Sequence, residues 1–297
     1  MTGSTSGGSK WSAIVREARP KQWVKNVLVF AAPGAAGALD NGSSLIRTLT
    51  IFGAFCLVSS GTYYWNDIHD VAADRQHPTK RLRPIASGAI GMGTARVVGT
   101  VLLAAGVATA FALGWRVGSV VLGYIALTTL YSVALKHVAV IDLVVVASGF
   151  VLRAVAGAVV TDVPMSRWFL LCTSFGSLFI VTGKRFAELR EVGDSAGTRM
   201  TLDAYSLRFL QTVLSVSVGA TLVTYCIWAF EVREVAGSSW PFYELSIVPM
   251  LTALLRYTLV LEQGHGAAPE EIFAADRWLQ AMGVVWVIVF GLGVYVG

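Results

Sequence analysis

Between Trp65 and Pro84 the sequence reads WNDIHDVAADRQHPTKRLRP, with acids first and bases after them. If one helix runs through Asp74, the carboxylates of Asp67, Asp70 and Asp74 fall within an arc of about 60°, with Asn66 on its margin. Like charges at this spacing repel, so a cation must compensate them. Hard oxygen ligands suit Mg²⁺, which completes its shell with waters and substrate phosphates. The stretch therefore predicts a Mg²⁺ site made of these four residues.

Cationic side chains follow the acids directly. Pro78 should end the helix, after which Lys80, Arg81 and Arg83 can fold back towards the acidic face. The planar guanidinium group matches phosphate oxygens in pairs, whereas lysine provides a point charge. We therefore predict a diphosphate substrate held between the metal and these bases. The alternative is a solvated loop in which acids and bases pair with one another.

The rest of the chain is strongly apolar. Of its 297 residues 55% are hydrophobic and only 14% are charged, with a mean hydropathy of +0.65, whereas soluble domains carry about 25% charged residues. Stretches long enough to span a bilayer occur near 22–39, 47–65, 95–114, 117–135, 138–160, 167–183, 207–230, 242–261 and 278–296. This pattern predicts an all-α membrane bundle of nine transmembrane helices, with a flexible cytoplasmic N-terminus at 1–20 and a single catalytic domain at 21–297.

The basic residues are distributed unevenly between the predicted loops. With the N-terminus inside, most of the 23 Lys and Arg residues lie on the cytoplasmic side. This bias predicts a multi-pass protein of the inner (plasma) membrane whose acidic stretch faces the cytoplasm. The net charge of +5 is explained by this bias, so nucleic acid is not an expected partner. A cleaved signal peptide ending near residue 38 is an alternative for the first span.

A second charged cluster, GKRFAELREVGD, follows the sixth predicted span. Lys184 and Glu188 share a helical stripe, and Arg185 lies beside it. One interpretation is a helix end anchored by snorkelling cations. The other is a site for a substrate with several phosphate groups.

Two further cations lie within or near the apolar spans. Arg153 is placed in mid-span at a cost of about 2.5–3.5 kcal/mol, so it should face a cavity, where it binds phosphate or pairs with an acid such as Asp142. Lys25 lies near the membrane surface, at the depth of a lipid head group. Tyr131 is either a hydrogen-bond donor to substrate or part of an aromatic belt.

The run Asn66, Asp67, Asp70, Asp74 resembles the first aspartate-rich motif of the UbiA superfamily of intramembrane prenyltransferases. The resemblance covers almost the whole chain and implies nine helices around a cytoplasmic-side cavity that binds Mg²⁺ and a diphosphate substrate. Members that transfer prenyl groups usually carry a second aspartate-rich motif after the sixth span. Here that position carries Lys184 and Arg185, which departs from the prenyl-transferring pattern.

Five segments resemble one branch of the superfamily: KQWVKN at 21–26, the first motif, YSVALK at 131–136, Arg153 and GKRFAEL at 183–189. That resemblance implies an enzyme that transfers 5-phosphoribosyl from 5-phosphoribosyl 1-diphosphate (PRPP) to a polyprenyl (decaprenyl) phosphate for cell-wall arabinan precursors. It leaves a homo-oligomer possible. An aromatic prenyltransferase and a transporter of phosphorylated solutes are the alternatives.

The expected site residues then fall into two groups. The catalytic group is Asp67, Asp70, Asp74 and Glu188, of which Glu188 is expected to stabilise oxocarbenium charge on the ribose. The substrate-binding group is Lys25, Lys80, Arg81, Arg83, Tyr131, Arg153, Lys184 and Arg185.

Overall fold

The computed structural model describes residues 10–192, 204–264 and 269–296, and within them every regular element is helical. The α-helices are α1 (Lys10–Glu17), α2 (Ala31–Ala35), α3 (Gly42–His69), α4 (Val71–Gln76), α5 (Met92–Leu113), α6 (Trp115–Val133), α7 (Ile141–Val160), α8 (Arg167–Val192), α9 (Leu207–Ala236), α10 (Phe242–Leu245), α11 (Ile247–Gln263), α12 (Pro269–Ala275) and α13 (Arg277–Tyr295). Short 3₁₀ segments lie at Pro20–Phe30, Ala38–Asp40, Lys80–Leu82 and Leu135–His137.

The predicted all-α membrane fold is confirmed, but its first span has a different form. Among the described residues eight helical segments are long and apolar enough to cross a membrane, and they match the second to ninth predicted spans. The first, predicted at 22–39, consists of a 3₁₀ segment at Pro20–Phe30 followed by the five-residue α2. Pro33 and the left-handed Gly37 (φ 68°) interrupt a longer helix there.

Tight packing against α7 fixes the 3₁₀ segment in place. A β-carbon built on Gly157 would lie 1.8 Å from the carbonyl oxygen of Val29, so only glycine permits this approach of two backbones. Val29 is fully buried in a core shared with α3, α6 and α7. The same docking brings Asn26, on this segment, against Arg153 of α7.

Gly157→Ala is therefore expected to destabilise the protein by at least about 1–3 kcal/mol, because the added methyl group meets backbone that cannot rotate away. The matched control is Gly149→Ala on the same helix, where the nearest atoms to the new β-carbon are 3.8 Å away. Thermal unfolding in detergent measures both. Equal unfolding temperatures for the two variants would contradict the close approach.

The charged clusters meet at one end of the bundle. Lys136, just after α6, donates to Asp70 at the end of α3 (2.9 Å). Arg185 of α8 donates to Tyr131 near the end of α6 (3.2 Å) and to Asp142 at the start of α7 (3.3 Å). We call this end of the bundle the polar rim.

The sequence predicts a flexible segment at 1–20, whereas residues 10–17 of that segment form helix α1. The helix packs on α3 through Ala13, and Tyr64 of α3 donates to the carbonyl oxygen of Ile14 (2.8 Å). Ser60 donates to the carbonyl oxygen of Ala18 (2.8 Å). The apolar face of α1 and these hydrogen bonds place residues 17–19 at the polar rim.

Candidate active site

The acidic stretch lies at the end of α3 and keeps nearly continuous helical register. Asp70 ends α3 (φ −88°, ψ 4°), and α4 begins at the next residue. Backbone hydrogen bonds of 2.9 Å join Asp70 to Asn66 and Asp74 to Asp70, so the predicted stripe persists through the break. His77 is extended (ψ 136°), as expected for a residue before proline, and it ends α4 where Pro78 was predicted to.

Two arginines hold the buried carboxylates of this stripe. Asp67 is 1% exposed; its Oδ1 accepts from Arg83 (3.1 Å), and its Oδ2 accepts from Arg19. The same Arg83 nitrogen donates to Asp74 (2.6 Å), which is also buried. Acids and bases therefore pair with one another, as in the alternative interpretation, but they do so inside the protein and at the mouth of the bundle.

The other two predicted bases of the loop occupy different positions. Arg81 is exposed, and its Nε donates to the carbonyl oxygen of Pro78 (3.2 Å). Lys80 begins the 3₁₀ turn Lys80–Leu82 and is half-buried. Arg83 contacts both Asp67 and Asp74.

Glu17 is an acid of this cluster that the sequence reasoning missed. Its side chain is 1% exposed, and among the described residues neither carboxyl oxygen has a hydrogen-bond partner of normal geometry. Burial, together with the adjacent Asp67 carboxylate, raises the pKa of Glu17 from 4.5 to about 8. A neutral Glu17 beside Asp67 adds no further negative charge to the pair of buried aspartates.

This pKa predicts a pH dependence of stability. The folded state keeps a proton on Glu17 that the unfolded state releases above pH 4.5, so stability falls as pH rises towards about 8. Glu17→Gln, which is neutral throughout, should flatten this decline, whereas Glu271→Gln, at an exposed acid, should keep it. Unfolding temperatures at several pH values, with chelator present, measure the slope. An unchanged slope in Glu17→Gln would show that Glu17 is ionised in the folded state.

The donor set fits Mg²⁺ in chemistry. Asp67, Asp70 and Asp74 offer carboxylate oxygens and Asn66 an amide oxygen, which are ligands that Mg²⁺ prefers. Within the described ranges no three Asp, Glu, His or Cys side chains already form a metal-holding group. Arg19 donates to an oxygen of Asp67, so a metal ion can bind that oxygen only after the guanidinium has left it.

The second charged cluster is tied to a buried acid. Arg185 is 7% exposed and donates to Asp142, which is 1% exposed, and to Glu188 (2.7 Å). Tyr205 also donates to Asp142. Lys184 is more exposed and lies 4.0 Å from Glu188. Arg185 is therefore held inside the rim by its contacts with Asp142 and Glu188, whereas Lys184 has greater access to solvent.

Arg153 forms a separate cluster deeper in the bundle. Its guanidinium donates to Asn26 Oδ1 (2.7 Å), to the carbonyl oxygen of Gly149 (2.7 Å) and to the hydroxyl of Tyr124 (2.9 Å). Rings of Phe55, Tyr124 and Phe150 lie within 5.7 Å of its central carbon. In the part of the chain that the structure describes, no carboxylate pairs with it, and Asp142 pairs with Arg185. Arg153 is therefore a buried charge with neutral partners.

Lys25 joins the Arg153 cluster to the C-terminal part of the chain. It donates to Gln22, which donates in turn to Glu270 of α12 (2.9 Å), and its Nζ lies 3.7 Å from that carboxylate. Lys25 also interacts electrostatically with Lys184 and Arg153. The structure thus gathers Lys25, Lys184 and Arg153 around one region, which we call the inner basic cluster. Glu270 and Gln22 were not predicted from the sequence.

Comparison with known proteins places this architecture in a family. The sequence model described as the UbiA prenyltransferase family matches residues 27–293. The chain belongs to this family. The resemblance predicted from Asn66, Asp67, Asp70 and Asp74 is thereby confirmed.

Curated relatives of this UbiA-family chain extend over nearly its full length. It is 40% identical over 288 residues to a decaprenyl-phosphate phosphoribosyltransferase of Corynebacterium glutamicum, covering 95% of this chain and 87% of the relative. It is also 40% identical over 291 residues to the enzyme of the same name from Mycobacterium tuberculosis, covering 96% and 95%.

A solved structure shares the fold at low sequence identity. The UbiA homologue from Archaeoglobus fulgidus bound to DMAPP and Mg²⁺ superposes with a TM-score of 0.75 at 17% identity, covering 96% of this chain and 100% of the other. At this identity the likeness shows a shared fold.

Proposed function

We propose that this protein transfers the 5-phosphoribosyl group of PRPP to a polyprenyl phosphate, decaprenyl phosphate in its relatives' names, and releases diphosphate. The observation that carries the proposal is 40% identity to decaprenyl-phosphate phosphoribosyltransferases over at least 95% of the chain. The distribution of cations supports it, since the rim and the inner basic cluster offer more positive charge than one prenyl diphosphate needs. The donor carries three phosphates, two in its diphosphate and one at the 5-position, and the acceptor carries a fourth.

The donor's diphosphate belongs at the acidic stripe. Asn66, Asp67, Asp70 and Asp74 would hold Mg²⁺, which when bound stabilises the charge on the departing diphosphate. Arg83 lies between Asp67 and Asp74, so it is placed to exchange a carboxylate for a phosphate oxygen. Lys80 and Arg81 border the same loop.

The acceptor's phosphate belongs at the inner basic cluster. Arg153 and Lys25 lie on the bundle side of the rim, where a lipid head group can arrive from the bilayer. Lys184 faces the same region and is assigned to the donor's 5-phosphate. The hydroxyl of Tyr131 accepts from Arg185, and we assign it to a hydrogen bond with the ribose.

The chemistry then requires one bond to break and one to form. The C1–O bond to diphosphate breaks, its electron pair leaves with the diphosphate, and positive charge develops on the ribose ring. A phosphate oxygen of the lipid, already ionised at neutral pH, attacks C1 from the opposite face, so no general base is needed. Glu188, an acid of the second charged cluster, is proposed to stabilise the positive charge that develops on the ribose ring.

The site is proposed to face the cytoplasm from the plasma membrane. PRPP is a water-soluble, highly charged donor, so the rim must open to an aqueous compartment that contains it. The excess of basic residues in the loops at the rim supports this orientation. Surface labelling of single-cysteine variants at positions 75 and 235, at opposite ends of the bundle, would test it.

The direct test is an assay with purified protein, PRPP, decaprenyl phosphate and Mg²⁺. The proposal predicts a lipid-linked phosphoribosyl product and one diphosphate for each product molecule. A competition assay with a prenyl diphosphate and an aromatic acceptor tests the prenyltransferase alternative. Movement of phosphorylated solutes into proteoliposomes without diphosphate release would instead favour a transporter.

A further inference from the structure

The N-terminal segment before the first span carries a guanidinium into the acidic stripe. Helix α1 is attached to α3 by the hydrogen bonds from Tyr64 to Ile14 and from Ser60 to Ala18. The next residue, Arg19, adopts a left-handed conformation (φ 54°, ψ 59°) immediately before Pro20. A residue before proline normally adopts an extended backbone, and left-handed arginine is uncommon. Unfavourable backbone of this kind persists where the surrounding structure fixes it, and it concentrates at functional sites.

The guanidinium of Arg19 is oriented by a ring and a carboxylate. Its central carbon lies 4.6 Å from the centre of the Tyr63 ring, and Nη2 donates to Oδ2 of Asp67. The side chain remains 26% exposed, whereas that of Asp67 is 1% exposed. Stacking covers one face of the planar group and leaves its edge for hydrogen bonds.

Arg19 and Arg83 together balance the charge of the two buried carboxylates, Asp67 and Asp74. Arg83 donates to the other oxygen of Asp67 and joins it to Asp74. A divalent cation held by these carboxylates would take over that balance and leave the guanidinium of Arg19 to pair with an anion that binds beside the cation.

We propose that Arg19 is a ligand of the donor's diphosphate and that α1 is part of the donor site; this rests on the assignment of the acidic stripe to Mg²⁺–diphosphate in the proposed function. With Asp67 holding the divalent cation, Arg19 would lose this acceptor. It would then be placed to donate to phosphate oxygens of the donor, since the edge of a guanidinium matches two of them. Tyr63 and the α1 anchor hold the group in place during the exchange.

Binding of inorganic diphosphate with MgCl₂ tests this assignment without the donor or the acceptor. We expect Arg19→Gln to weaken the Kd for Mg²⁺–diphosphate by tenfold or more in calorimetric titration of the full chain. Arg19→Lys, which keeps the charge but loses the planar fork, should recover part of that loss. The matched control is Arg16→Gln, which removes an exposed positive charge from the same segment and should bind as wild type.

Steady-state kinetics separates binding from a purely structural role. Arg19→Gln should raise KM for PRPP by a similar factor and leave KM for the polyprenyl phosphate unchanged. Wild-type diphosphate affinity in Arg19→Gln, or an equal rise of KM for both substrates, would overturn the assignment. If Arg19→Gln fails to fold, wild-type diphosphate affinity in Arg19→Lys overturns it instead.

The two proposals fail in different ways. Wild-type protein that binds Mg²⁺–diphosphate but forms no phosphoribosyl lipid refutes the proposed function. In that case a weaker Kd in Arg19→Gln still supports Arg19 as a diphosphate ligand. Wild-type protein that transfers phosphoribosyl while Arg19→Gln binds diphosphate normally refutes only the assignment of Arg19.

Discussion

Asp67→Asn is expected to lower the rate of phosphoribosyl transfer by at least about 100-fold. A metal ion stabilises charge on a leaving group by several kcal/mol, and each 1.4 kcal/mol is a factor of ten in rate. Asp67 is the acid of the stripe that contacts both arginines, so its loss also disturbs Arg19 and Arg83. Asparagine keeps the size of the side chain and one oxygen acceptor, which limits the structural damage. The initial rate of lipid product, at saturating Mg²⁺, is the measurement.

The matched control for Asp67→Asn lies at the other end of the bundle. Asp162 is 74% exposed and lies 4.0 Å from Arg47, away from the polar rim. Asp162→Asn should transfer at the wild-type rate, and its left-handed backbone (φ 54°) is well tolerated by asparagine. Asp70→Asn, at a less buried acid, repeats the test with a smaller risk to folding. Wild-type rates in both rim variants would refute the metal site.

What the sequence predicted well depends on local properties of the chain. Length and apolarity are sufficient to locate spanning helices, and the eight long ones were found within a few residues at most ends. The acidic stripe follows from the helical period, and the end of α4 before Pro78 follows from proline's missing N–H. These features need no knowledge of which elements pack together.

What the sequence did not predict depends on contacts between distant segments. Arg19 and Asp67 are 48 positions apart, Arg153 and Asn26 are 127 apart, and Gln22 and Glu270 are 248 apart. No period or motif connects such pairs, because their approach is decided by helix docking. The 3₁₀ form of the first span has the same origin, since its backbone packs against Gly157.

The predicted partner of Arg153 illustrates how docking decides between alternatives. From the sequence, Arg153 either binds phosphate or pairs with an acid such as Asp142. Asp142 lies three turns before Arg153 on α7, about 16 Å along the helix axis, and pairs with Arg185 of α8. Arg153 contacts Asn26 and other neutral acceptors. A buried guanidinium in an apolar span with neutral partners is costly, which is the physical reason to assign it an anionic substrate.

The same substitution at these two buried arginines is expected to have different effects on stability. Arg185→Met leaves Asp142 buried without its cation, and breaking such a pair costs about 3–5 kcal/mol of stability. Arg153→Met removes a buried charge that the described residues do not neutralise. The gain from removing that charge offsets the loss of hydrogen bonds to Asn26 and Tyr124, so stability should change little. Thermal unfolding in detergent, followed by tryptophan fluorescence, compares the variants.

Activity should separate the two arginines in a second way. Arg153→Met is expected to lower kcat/KM for the polyprenyl phosphate by about 30-fold or more, because losing one partner of a buried charged contact costs about 2 kcal/mol or more. Its affinity for Mg²⁺–diphosphate should stay at the wild-type value, since the acidic stripe is unaltered. If Arg153→Met unfolded as readily as Arg185→Met, Arg153 would be a structural cation with a counter-charge. If it remained stable and fully active, the acceptor phosphate would have to bind elsewhere, and Lys25 and Lys184 would be the cations of the inner basic cluster left to hold it.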